Sequence, residues 1–271
     1  MLGRRKRRER MDWRRAKTLL ILAFLILDSF LFYQFWTSRS HDLEVGQQNM
    51  GTSSSLQDVL KAKNIQLAIE PPTDMPEMHY LNVRYENFEM RLVSKLPNQN
   101  SRWEGHVFES RFIRNLPSPL TMMKSEVQKT FSEHILYFED YKVDSMVQYP
   151  EKLVYFQQWE GYPLFGATLE LNHNDQKVMG YRQAYFQVVN KGSGKKVISS
   201  LTALRTLIEN GMIAYGETVH AIELGYFGHT YDAEIQVIAP VWRIVHGTNQ
   251  VHYINAITGV MEKTPSLQKK E

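Results

Sequence analysis

The sequence predicts an α+β protein: a single N-terminal transmembrane helix, then an exported part of two similar lobes, each an antiparallel sheet with a helix packed on one face. Three observations predict it. Thr18–Trp36 is a largely apolar run behind a basic cluster. Two amphipathic helical repeats start near Pro119 and Val197. Around them, short apolar runs of strand length alternate with Gly, Pro, Asn and Asp. The implied segments are a basic cytoplasmic segment (1–17), the transmembrane helix (18–36), a linker (37–55), a first lobe (56–190) and a second lobe (191–271).

The anchor comes first. Nineteen residues at about 1.5 Å rise span roughly 28 Å, close to the hydrocarbon thickness of a bilayer. Twelve of them are Leu, Ile or Phe, worth roughly −4 to −7 kcal/mol on the insertion scale, against about +3 for the central Asp28. A buried core helix rarely lacks a polar stripe and carries such a basic flank. A cleaved signal peptide needs a shorter apolar region and small residues at the cut, where this chain has Phe35 and Trp36. An uncleaved anchor is expected, its N-terminus held in the cytoplasm by Arg14, Arg15 and Lys17 and the remainder outside the cell membrane. Membrane lipid is then a partner, anionic headgroups attracting the basic cluster. Asp28, with Ser29 beside it, is the polar point in the span. It either contacts a partner helix or is protonated and snorkels.

Thr37–Ser55, rich in Ser, Gln and Gly, reads as a tether. A short helix is expected at 56–63 with Ser55 as N-cap. Strands follow at 65–69, 80–85, 88–92 and 106–112, with a break at Pro71-Pro72. Ser118-Pro119 opens a helix whose apolar face is Leu120, Met123, Val127, Phe131 and Ile135. Strands are expected at 152–159, 163–172 and 177–189, with Gly192-Ser193-Gly194 a flexible break. The second helix, 197–210, turns Leu201, Leu204, Leu207 and Ile208 inward and stops at Gly211. The last strands are 218–226, 233–237, 241–246 and 250–255, the final pair a hairpin around Gly247-Thr248-Asn249.

Composition removes several chemistries. The chain is 43% hydrophobic, 23% charged and 12% aromatic over 271 residues, which is globular rather than disordered. With no cysteine, disulfides, thiolate metal sites and a cysteine nucleophile are excluded. The net charge of +3 is uneven: residues 1–17 carry nine Lys/Arg against Glu9 and Asp12, leaving the other 254 residues at −4. No nucleic-acid partner follows from such a distribution.

Catalytic patterns are lacking in the sequence, so no enzyme activity is expected. Gly192-Ser193-Gly194-Lys195-Lys196 lacks the phosphate-loop spacing, and no Gly-x-Ser-x-Gly or His-Glu-x-x-His occurs. His246 and His252 flank the last hairpin and His220 and His229 bracket another strand, but a third metal ligand at suitable spacing is missing. Neither a cofactor nor a small-molecule substrate is indicated. Carboxylate pairs such as Glu139/Asp140 and Glu217/Glu223 are unavoidable among 29 acidic residues. Tyr155–Trp159 and Tyr181–Phe186 interleave aromatics with Gln, giving one core face and, on the other side, a possible docking surface.

Several stretches together resemble the YycI (WalI) family. They are Met11-Asp12-Trp13 with LILAFLILDSFLFYQF, MHYLNV at 78–83, QQWEGYPLFGATLEL at 157–171, ISSLTALRTLIENGMIAYG at 198–216, and APVWRIV with YINAITG at 239–259. The family usually begins near the Met-Asp-Trp, so translation from Met11 stands beside translation from Met1. The resemblance implies a non-enzymatic membrane regulator that acts, together with the similar protein YycH, on the sensor histidine kinase YycG (WalK) of the YycFG/WalRK cell-wall system. It also implies association through transmembrane helices, and an exported part like the two C-terminal lobes of YycH. The Gly-Tyr-Pro-x-Phe-Gly and Trp-Arg-Ile…Asn-Ala-x-Thr-Gly pieces are also similar to PepSY-type domains, which gives an alternative: an extracytoplasmic binding or inhibitor module acting on a secreted hydrolase or protease.

Overall fold

A computed structural model describes residues 17–18, 20–32, 51–174, 176–228 and 233–263. The chain divides into two compact units, Met1–Ser53 and Ser54–Glu271. In the first, residues 20–32 form a helix, α1. Thirteen residues make it about 20 Å long. Among the described residues no helix is long and apolar enough to cross a membrane; the expected span reaches Trp36, and residues 33–36 lie outside the described residues, as do Arg14, Arg15 and most of the expected linker.

The larger unit is mostly sheet. Helix α2 is Gly51–Ala62. It starts four residues before Ser55, so Ser55 is not its N-cap and the linker's expected end is helical. Leu56 is buried, with Val59 and Leu60 packed beside it. β1 (Gln66–Leu67) runs parallel to Thr218–Val219, and β2 is Glu77–Tyr85. The expected strand at 88–92 is instead the single turn α3, Met90–Val93. Here Phe88 drives into the core, edge-on to Phe108 at 5.6 Å, and redirects the chain.

β3 (Gln99–Glu104) and β4 (Val107–Pro117) form a hairpin closed by Gly105 at φ 60°. β3 is polar except for Trp103, which hides it from apolar periodicity. The helix expected from Pro119 is two elements. Pro119–Thr121 is one 3-10 turn capped by Ser118, and α4 is Lys124–Ser132, entered through Met123, whose N–H donates to Glu126. Phe131 and Ile135 are buried as expected, but Leu120 and Met123 are each 67% exposed. The extended backbone at Met122 swings that first turn away from the core. β5 (Tyr141–Val143) follows.

β6 (Lys152–Trp159) and β7 (Tyr162–His173) match the expected pair. The expected strand over 177–189 divides into β8 (Lys177–Gln183) and β9 (Phe186–Lys196). β8 pairs with β7 and β4, whereas β9 pairs with β2. Buried Gln157 fills the switch: its amide donates to the Phe186 carbonyl at 2.9 Å and accepts the Phe186 N–H at 2.8 Å. Gly192-Ser193-Gly194 is part of β9 rather than a break, with Gly194 opposite His79. α5 (Ser200–Glu209) has Ser199 as its cap, accepting the Thr202 N–H at 3.1 Å, and ends before Gly211 at φ 71°. β10 is Thr218–Phe227 and β12 is Gln250–Asn255. The two strands expected between them are one, β11 (Gln236–His246), buried along nearly all its length. It pairs first with β2 and then lies between β10 and β12. Met261–Glu262 is β13.

The strands join into one sheet whose main path is β13-β12-β11-β10-β7-β8-β4-β3. Two principal cores form on it. α4 contributes Phe131, with Val127 beside it, to a core with Phe108, Phe112, Leu169, Leu171 and Tyr181. α5 covers Trp242, Ile244 and Ile254, together with Leu81 and Val83 from β2. The expected α+β class is met: the unit is mostly sheet with few helices. Separate lobes divided at 190/191 are not confirmed: that boundary falls inside β9, β7 serves both cores, and 56–83 packs with the α5 core.

Candidate functional site

In α1 the side chains from Leu20 to Phe32 are exposed. Leu20, Ile21, Leu22, Phe24 and their followers present bare apolar surface, and Asp28 and Ser29 are the polar side chains among residues 20–32. The two differ. The Ser29 hydroxyl donates to the Leu25 carbonyl one turn back at 2.7 Å, so its proton is already committed. Asp28 faces outward from the helix. Lys17 is exposed at the helix's start.

In the larger unit, the groups considered as chemistry are dispersed into separate pairs. His246 is fully buried and its Nδ1 lies 2.7 Å from Glu217. Burial pushes the Glu217 carboxyl up, but the His246 hydrogen bond and the Ala214 N–H outweigh it and hold the group below the usual carboxylate range. His252 stacks on His246 with ring centres 5.2 Å apart, and burial followed by that neighbour lowers its pKa. His220 bonds to the Gly247 carbonyl on its own. Asp140 accepts the Tyr185 hydroxyl at 2.7 Å. Among the described residues no group of three or more His, Cys, Asp or Glu is placed to hold a metal ion; His229 lies outside them.

Sequence reasoning missed one arrangement. Arg243 on β11 is 2% exposed and meets Asp144, 1% exposed, through Nη1–Oδ1 at 3.1 Å and Nη2–Oδ2 at 2.5 Å. Glu223 on β10 lies 3.4 Å from Nη1. Burial opposes the guanidinium charge, but the Asp144 hydrogen bond and charge overcome it and raise the Arg243 pKa. Glu223 is raised by burial, which the nearby guanidinium only partly offsets. The available signal was a single arginine between Trp242 and Ile244 in an otherwise apolar strand.

The described residues thus present an exposed apolar helix, a sheet with packed helices, and polar groups set in separate pairs. The chain belongs to the YycI family, whose model, described as YycI protein, matches residues 44–257. That family is one of regulators of the YycG/WalK two-component system and is not known for enzyme activity. No curated protein matches the chain. Among solved structures, an uncharacterized protein from Eubacterium rectale is similar at 12% identity, over 74% of this chain and 91% of its own, with a TM-score of 0.46.

Proposed function

We propose that this chain is a single-pass membrane regulator that binds the sensor kinase YycG/WalK, and YycH beside it, through its N-terminal helix, and makes or breaks no covalent bond. The observation that carries this reading is the exposed surface of α1. An apolar cylinder whose side chains from Leu20 to Phe32 are all uncovered is unfavourable in water and at home in lipid. Arg14, Arg15 and Lys17 keep its N-terminal side in the cytoplasm, and the sheet unit lies outside. In lipid the helix gains nothing hydrophobic from a neighbouring helix, so lateral choice falls to packing and polar contact. Asp28 is the contact residue. Ser29, with its proton bound to Leu25, offers the neighbour only its oxygen. A differential affinity of about 1.4 kcal/mol between two kinase conformations changes their ratio tenfold, so a modest contact suffices for regulation.

Replacing Asp28→Leu tests the contact. The variant inserts normally and recovers about three- to twentyfold less kinase or YycH on co-purification from membranes, the range set by an interhelical hydrogen bond of ~0.6–1.7 kcal/mol. Unchanged recovery removes Asp28 from the mechanism. Replacing the whole helix with an unrelated anchor separates this reading from the PepSY-like alternative: regulation that persists with the foreign anchor assigns the function to the sheet unit.

A further inference from the structure

The Arg243 site has features that a purely structural ion pair does not need. Its guanidinium lies on the sheet face opposite α5, with its carbon 5.0 Å and 5.3 Å from the ring centres of Phe156 and Phe165. Beside it, Phe227 and Tyr253 stack at 4.3 Å. The main counter-charge does not come from the sheet. It comes from Asp144, the first residue after β5, at the head of the irregular segment 144–151. The two guanidinium nitrogens meet the two carboxylate oxygens in a fork, the way an arginine binds a free carboxylate.

The segment is lightly held. The Asp144 N–H donates to the Val154 carbonyl, the His173 N–H to the Glu151 carbonyl, and the Asn249 amide to the Gln148 carbonyl. Within it Val147 is buried against Ala221 and Val245, whereas Met146 and Tyr149 are 41% and 37% exposed. A cavity of about 60 Å³ adjoins it, lined by Lys142, Asp144, Ser145, Met146, Gln158 and Glu223 among others. That is room for about two waters.

Two further groups make departure of Asp144 feasible. Glu223 stays on β10 within reach of Nη1, so the guanidinium keeps a counter-charge when the segment lifts. Arg243 Nε is buried without an acceptor among the described residues, a donor left over for another oxygen.

We propose that segment 144–151 is a strap closed over a carboxylate-binding site, with Asp144 as its resident occupant, and that the ligand is an organic carboxylate with an apolar or aromatic body. The carboxylate takes the Asp144 position on Arg243. Its body packs on Phe156, Phe165 and Tyr253, and the displaced strap is the signal that the site is filled.

N-acetylphenylalanine and its uncharged amide are the probes, used with the full chain. The acid displaces Asp144 in the wild-type protein, so saturating acid speeds amide exchange across 144–151 while the amide leaves it unchanged. Asp144→Ala binds the acid at least tenfold more tightly than wild type, because the internal competitor is gone. Asp144→Asn, which keeps the side-chain shape and an acceptor for the Met146 N–H, shows the same change in affinity if the alanine variant does not fold. The proposal is overturned if neither variant binds the acid more tightly than wild type. It is also overturned if saturating acid leaves exchange in the strap unchanged, or if acid and amide act alike; the pair is then a structural clasp only.

Discussion

Tyr155, Tyr226 and Tyr253 set an alkaline limit on the fold. Burial pushes each of these phenols up to about 12. A neutral group with a raised folded pKa contributes stability that is complete below the unfolded value near 10 and is lost as pH rises through the folded value. The stability these three phenols contribute is therefore constant up to about pH 10 and falls between roughly 10 and 12, by about 1.4 kcal/mol per pH unit for each tyrosine. Denaturant melts across that range check the slope, and Tyr155→Phe makes it shallower by one group's share. At the residue scale the sequence marks a single charge more readily than its partner. Asp28 stood out because an ionisable group in a lipid-length apolar run has no ordinary explanation. Arg243 carries the same signal, one charge in an apolar strand, but its partner Asp144 is 99 positions away, and no local pattern joins them.

At the scale of elements, legibility followed local chemistry. α5 was readable because its cap at Ser199, its apolar face and its stop at Gly211 are all local. The last hairpin was readable from Gly247-Thr248-Asn249 for the same reason. β3 was not, since a polar edge strand lacks alternation, and the glycines of β9 imitate a loop while lying against β2. Close approach explains another glycine. A Cβ on Gly180 would sit 2.4 Å from the Ser110 carbonyl oxygen, where β8 runs beside β4. Gly180→Ala thus forces the two strands apart. Overpacking of this kind costs about 2 kcal/mol, or roughly 4–8 °C in melting temperature, and a thermal melt measures it. A variant melting with the wild type would show that the strands can separate at no cost.

For the whole molecule, the repeated pairing of one helix with a sheet was visible in chain order, but the sharing of strands was not. β2 joins β9 and β11 across more than a hundred residues, and this long-range register draws the N-terminal part of the sheet unit to the α5 core. The proposed anchor rests on the opposite kind of evidence: local composition, length and flanking charge. The proposed association, sideways through lipid to the kinase, is a property of the whole molecule. Co-purification of the sensor kinase with the full chain, against the same chain lacking residues 11–36, tests this most directly. Lateral association through the helix gives kinase with the full chain and none above background with the shortened one; equal recovery from both would rule it out.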